Sequence, residues 1–172
     1  VELMGELIND LLAYSRMERR DMARDPVALL PLVEQVLDGY EADIQRQGVQ
    51  VQLALEPVTL ALDREGMAVV LRNLIGNAIK FSRDRQPPRL DIGSRRGGGR
   101  ITLWVRDNGV GFDMKYHDRM FGIFQRLHRA EEFPGTGVGL ALVAKAVQRM
   151  GGRVWAESTP GVGATFFLEF PE

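Results

Sequence analysis

The hydrophobic period of this chain switches repeatedly between about 3.6 and 2 residues, which excludes both all-helical and all-strand folds. Val33, Val36, Leu37, Tyr40 and Ile44 mark one amphipathic helix, with Pro31 tolerated in its first turn and Gly48 placed to end it. Val49, Val51, Leu53 and Leu55 then alternate as in a half-buried strand, and a short strand over 59–62 is expected to pair with it across Glu56-Pro57. Helical spacing returns in Met67, Val70, Leu71, Leu74, Ile75 and Ala78, with Asp63 as the cap. Leu90, Ile92, Ile101, Leu103 and Val105 form further strand, turned by Gly97, Gly98 and Gly99. A helix over 138–150, stopped by Gly151-Gly152, and strands near 153–157 and 164–170 close the chain. Such an order predicts an α/β (α+β) architecture, a sheet covered by helices on one face.

Between Asp107 and Gly137 the periodicity lapses. An unstructured stretch of about 30 residues inside a compact domain is usually a functional lid or a disordered segment.

The N-terminal segment differs from the rest. Met4, Leu7, Leu11 and Tyr14, widened by Ile8 and Leu12, make a short heptad seam like the last turns of a bundle helix. The charged run over 16–25, closed by Pro26, breaks it. The expected division is residues 1–20 as the end of that helix, 21–26 as a connector, and 27–172 as the main domain. Because the chain starts at Val1 and enters directly into a helical pattern, further sequence is expected upstream.

Composition narrows the function. The 172 residues include no cysteine, which removes disulfides and thiolate metal sites. Twenty-two basic against 23 acidic side chains, a formal charge of −1, argue against a duplex DNA partner. The longest apolar stretch, near 138–144, is far short of a membrane span, so neither nucleic acid nor membrane contact is expected of this piece.

Four constellations carry chemistry. Asn73, Asn77 and Lys80, spaced by four and three, fall within about 60° of arc on one helix face. Two amide oxygens and an ammonium suit a hydrated cation and its phosphates, and equally suit a solvated face. Asp107-Asn108-Gly109-Val110-Gly111 stands where a strand ends: a buried carboxylate there can accept from an exocyclic amine, although Asp-Asn-Gly is also a common turn. Gly135-Thr136-Gly137-Val138-Gly139-Leu140 opens a helix, whose free N–H groups favour an anion. Gly161, Gly163 and Thr165 lead into the last strand.

In this order the four resemble the N, G1, G2 and G3 boxes of sensor histidine kinases, whose ATP-binding domain belongs to the family shared with gyrase, Hsp90 and MutL. Phe121-Gly122-Ile123-Phe124 is similar to the F box, and Phe124-Gln125-Arg126-Leu127-His128 resembles the lid of phytochrome-type kinases. The resemblance covers residues 27 to 170 and implies a Bergerat-type two-layer sandwich with a mixed, mostly antiparallel sheet. It implies ATP and Mg²⁺ as ligands: Asn77, assisted by Asn73, at the metal; Lys80 at phosphate; Phe81 flanking the nucleotide. Asp107 would read the adenine amine above a pocket floor kept open by Gly109 and Gly111, with Thr165 in support. Phe121, Phe124 and Arg126 belong to the lid, Arg126 in reach of phosphate. Gly135, Thr136, Gly137, Val138, Gly139 and Leu140 form its hinge and phosphate-facing end. The N-terminal segment is similar to the end of a dimerisation helix.

ATPases of the wider family carry a glutamate at the position of Asn73. An amide cannot take up a proton at neutral pH, so the site has no resident base for hydrolysis, and the resemblance favours transfer to a histidine. Only His117 and His128 are present, both in the lid and neither on an amphipathic helix, so the acceptor is expected upstream and no catalytic residue is assigned within the chain. The implied partners are the protein's own dimerisation helices in a homodimer and a response regulator receiver domain; the implied location is cytoplasmic. A degenerate nucleotide-sensing module and a family ATPase are the alternatives. Trp104 and Trp155 read as packing residues, and Arg95, Arg96 and Arg100 as solvated charge.

Overall fold

The computed structural model describes residues 2–126 and 136–172. Helix α1 (Glu2–Arg19) leads into strand β1 (Asp25–Ala28), helices α2 (Leu29–Asp38) and α3 (Glu41–Gln47), and strands β2 (Gln50–Ala54) and β3 (Thr59–Leu62). Helix α4 (Arg64–Phe81), the hairpin of β4 (Arg89–Gly97) and β5 (Arg100–Asp107), and a 3-10 turn (Met114–Tyr116) follow. Helix α5 (Gly139–Arg149), β6 (Arg153–Thr159) and β7 (Gly163–Pro171) complete the chain.

Five strands form one sheet in the order β2-β4-β5-β7-β6. Only β2 and β4 run parallel; the other neighbours are antiparallel. Inward-facing Ile101, Leu103 and Val105 of β5 and Ala164, Phe166, Leu168 and Phe170 of β7 are buried, as are Met67, Val70, Leu71, Leu74 and Ile75 of α4 and Val143, Ala146 and Val147 of α5. This is the expected two-layer sandwich, helices over one face of a mixed, mostly antiparallel sheet.

Three local expectations are corrected. Strand β3 does not pair with β2. It pairs antiparallel with β1, Asp25 opposite Leu62 and Ala28 opposite Thr59, which brings Val27, Leu60 and Leu62 into the core together. Strand β2 instead lies at the edge of the main sheet, and the chain leaving it is pinned where the Glu56 N–H donates to Ser94 Oγ at 2.8 Å. The expected charged break at 16–25 is narrower than supposed: α1 continues to Arg19, and β1 takes in Asp25 and Pro26, the latter acceptable on an outer strand because no ladder N–H is needed from it.

The helix expected through residues 33 to 44 is two helices that part at Gly39-Tyr40. The break lets the Tyr40 hydroxyl donate to the Arg72 carbonyl on α4 at 2.9 Å. It fits because Gly76 has no side chain: a Cβ there would stand 2.6 Å from that hydroxyl oxygen.

Candidate functional site

The polar face of α4 is held in place from its first turn. Asp63 is 1% exposed, and its Oδ1 accepts the N–H of Gly66 at 2.7 Å, the expected cap. The same carboxylate also accepts both Arg20 Nη atoms, at 2.8 and 3.0 Å, and the Ala23 N–H at 2.9 Å. Burial by itself would raise the Asp63 pKa, but the Arg20 pair and the two amides outweigh it and hold the group below its ordinary range.

With the apolar stripe of α4 against the sheet, Asn73, Asn77 and Lys80 come together on one wall of a cavity of about 250 Å³. Asn73 Nδ2 donates back to the Val69 carbonyl at 2.9 Å, and its Oδ1 lies against Gly139, where a Cβ would come within 2.8 Å of it. Glycine at the first turn of α5 is therefore what lets the two helices close on this amide. The Lys80 ammonium sits 4.8 Å from the centroid of the Phe81 ring. Burial lowers its pKa, repulsion from Arg126 and Arg83 adds to that, and Glu6 opposes it.

Asp107 forms the opposite end. It is the last inward position of the row Ile101, Leu103, Val105, so the two-residue period of β5 carries a carboxylate into the core layer at the sheet's edge. Its Oδ1 accepts the N–H of Gly109 at 2.8 Å and of Ala164 at 3.4 Å. Among the described residues no donor reaches Oδ2. Burial raises the Asp107 pKa to about 6 against the pull of those two amides. The floor beside it is closed by backbone: at Gly111 (φ 64°) a Cβ would strike the Thr159 carbonyl, and at Gly163 (φ 142°) the carbonyl of Asp107 itself.

The segment after β5 folds over this floor. Phe112 N–H donates to Ser158 Oγ at 2.8 Å, and His117 Nε2 accepts the Ala156 N–H at 3.1 Å, anchoring the segment to β6. His117 is thus a half-buried tether between this segment and β6. Its ring meets Phe121 edge-on at 5.9 Å, and Phe121 meets Phe166 at 6.4 Å.

Of the residues predicted for the site, Asn73, Asn77, Lys80, Phe81, Asp107, Gly111, Arg126, Thr136, Gly137, Gly139 and Leu140 line the one cavity. Gly109 lies beneath it, bonded to Asp107, and Phe121 stands behind the wall formed by Phe166. Val138 is fully buried in packing, and Phe124 is 57% exposed, tied to the site through its N–H to the Gly137 carbonyl at 2.8 Å. Thr165 faces the other side of the sheet, because its neighbours Ala164 and Phe166 take the inward positions; its Oγ1 accepts Arg106 Nε at 3.2 Å. Gly135 and His128 lie outside the described residues.

Glu6, Asp10, Phe112, Gln125, Ala164 and Phe166 also line the cavity and were not foreseen. The alternation of β7 was a sufficient signal for Ala164 and Phe166. Nothing local announces Glu6 and Asp10, which reach the site only because α1 docks beside α5.

A half-open layer of helices on a mixed sheet, with an amide-lined helix facing a buried strand-end carboxylate, defines an ATP-binding domain of the kind the sequence resembles. The chain belongs to the family described as histidine kinase-, DNA gyrase B-, and HSP90-like ATPase, whose model matches residues 62–172. It is 38% identical over 171 residues to cyanobacterial phytochrome A of a Nostoc species, covering 99% of this chain and 22% of that protein. It is 32% identical over 168 residues to the methanogenesis regulatory histidine kinase FilI of Methanothrix harundinacea, covering 98% of this chain and 19% of that one. Full-length ShkA, solved in complex with AMPPNP, superposes with a TM-score of 0.83 at 28% identity, over 96% of this chain and 35% of that chain. The chain therefore spans about a fifth of the length of these two relatives. Its likeness to histidine kinases and to phytochromes is established at this level, and with it an ATP-binding domain of the ATPase family. Among the described residues no helix is long and apolar enough to cross a membrane.

Proposed function

We propose that this chain binds Mg-ATP and delivers its γ-phosphoryl group to a histidine on a dimerisation helix outside the chain, in two-component signalling. The observation that carries the proposal is Asp107: a buried carboxylate with one oxygen unclaimed by any described donor, at the far end of a cavity from a lysine and two amides. An exocyclic amine would satisfy Oδ2, and the absence of side chains at Gly111 and Gly163 leaves the floor flat enough for a purine.

At the other end, Lys80 and Arg126 supply positive charge for the phosphates, and the first turn of α5, from Gly139, turns backbone N–H groups toward them. Asn77, with Asn73, fits an oxygen-seeking cation. Among the described residues no cluster of three or more carboxylates and imidazoles could hold a metal by itself, so the nucleotide's own oxygens are required to complete its shell. When bound, Mg²⁺ would neutralise charge on the bridging phosphates. The chain's residues position the triphosphate and withhold a base from water, since Asn73 cannot accept a proton. In the transfer the lone pair of a neutral imidazole forms the new N–P bond, the bond to the bridging oxygen breaks, and ADP leaves with that electron pair.

Residues 1–20 would then be the end of the dimerisation helix, 21–26 the connector and 27–172 the catalytic domain, in a cytoplasmic homodimer that passes the phosphoryl group to a receiver domain. The test joins this chain to its upstream helix pair and supplies radiolabelled ATP. Acid-labile, base-stable label on histidine is expected; steady phosphate release without an acceptor would mark an ATPase, and neither event a degenerate module.

A further inference from the structure

Helix α1 is fastened to the domain at its C-terminal end and leans over the phosphate end of the cavity at its N-terminal end. Met17 is buried in the core, Arg149 Nη1 donates to the carbonyls of Met17 and Arg20 at 2.8 and 2.5 Å, and Arg20 is clamped to Asp63. Toward the other end the attachments thin out. Thr136 Oγ1 donates to Asp10 Oδ2 at 2.5 Å, while Met4, Ile8 and Leu12 are each at least half exposed.

Glu6 and Asp10 are one helical turn apart, so they share a helix face, and both line the same cavity as Asn77, Lys80 and Arg126. The negative charge of Glu6 opposes the fall in the Lys80 pKa that burial and Arg126 cause. Two carboxylates thus line the end of the cavity at which the proposed triphosphate would lie, beside Lys80 and Arg126. A bound polyphosphate brings like charge to the same place, in a half-buried site where screening by salt is weaker than at an open surface.

We infer that α1 is a built-in competitor for nucleotide: Glu6 and Asp10 stand in the anion position at the phosphate end of the cavity, so docking of the N-terminal half of α1 and binding of Mg-ATP oppose each other. The inference rests on the nucleotide assignment above. It makes α1 a brake that the nucleotide releases, pivoting about the Met17 and Arg20 anchors. By linkage, whatever pulls α1 away strengthens ATP binding to the same degree.

The experiment is calorimetric titration of Mg-ATP into the chain and into its Glu6→Gln/Asp10→Asn variant, an isosteric change at one exposed and one partly exposed position. The variant should bind about 3- to 10-fold more tightly, with the gain shrinking at high salt. In parallel, Mg-ATP should accelerate amide hydrogen exchange in the N-terminal half of α1 in the native chain and leave the amides near Met17 unchanged. Equal affinity would overturn the inference, weaker binding would instead make the carboxylates helpers of the metal, and unaltered exchange would show that α1 stays docked. In each of those cases the nucleotide assignment survives; absence of binding in both proteins would overturn the two together.

Discussion

Asp107 offers a test that needs only a change of pH. In the nucleotide-free protein its pKa is about 6 rather than 3.8, because burial disfavours the carboxylate more than the Gly109 and Ala164 amides favour it. A displacement of that size corresponds to about 3 kcal/mol. The folded state holds this proton more tightly than the unfolded chain, so the group's stabilising contribution is full below about pH 3.8 and is lost as pH rises through 6. An adenine amine donating to Oδ2 favours the charged form and draws the pKa back down. Nucleotide binding should therefore expel about half a proton from Asp107 near pH 6, and affinity should fall below that pH toward about tenfold per unit. Calorimetry in two buffers of different ionisation enthalpy reads the proton directly. The terminal phosphate of ATP titrates nearby, and an Asp107→Asn variant removes that contribution by difference. The same variant, measured at pH 7.5, should bind about 10- to 150-fold more weakly, the value of a charge-assisted hydrogen bond of about 1.5 to 3 kcal/mol. If native and variant proteins show the same pH profile and the same buffer-dependent heat, Asp107 does not contact the adenine amine.

Three further outcomes are expected. Asn77→Ala should weaken Mg-ATP far more than metal-free ADP, and equal losses in the two titrations would remove the ligand role from that amide. Asp63→Ala takes away a helix cap and both partners of Arg20's fork, at a cost of about 2 to 4 kcal/mol; thermal unfolding should drop by about 5 to 15 °C. Because the Asp63 pKa lies below its ordinary 3.8, its contribution is present above that pH and lost on further acidification, so the variant's melting temperature should vary less with pH in the acid range than the native protein's. Gly163→Ala forces a side chain into an unfavourable φ and against the Asp107 carbonyl; it should destabilise the domain by at least about 2 kcal/mol in denaturant unfolding and weaken nucleotide binding in step.

What the sequence determined by itself is whatever depends on neighbours along the chain. The period of β5 alone places Asp107 at the end of the inward row, and the four-then-three spacing of Asn73, Asn77 and Lys80 alone places them on one face of α4, because side-chain direction follows from backbone geometry within a few residues. The same logic, applied to Ala164 and Phe166, turns Thr165 away from the cavity. Tertiary structure decided what depends on residues distant in sequence. Strand β3 has the alternation of any half-buried strand, and only burial of Leu60 and Leu62 beside Val27 selects β1 over β2 as its partner. The helix break at Tyr40 follows from a hydroxyl seeking the Arg72 carbonyl over a glycine 36 positions further along. Glu6 and Asp10, polar residues between seam positions, acquire a role only when Met17 and Arg20 dock α1 onto the domain, since a local pattern specifies which face of a helix is polar but not what that face will meet.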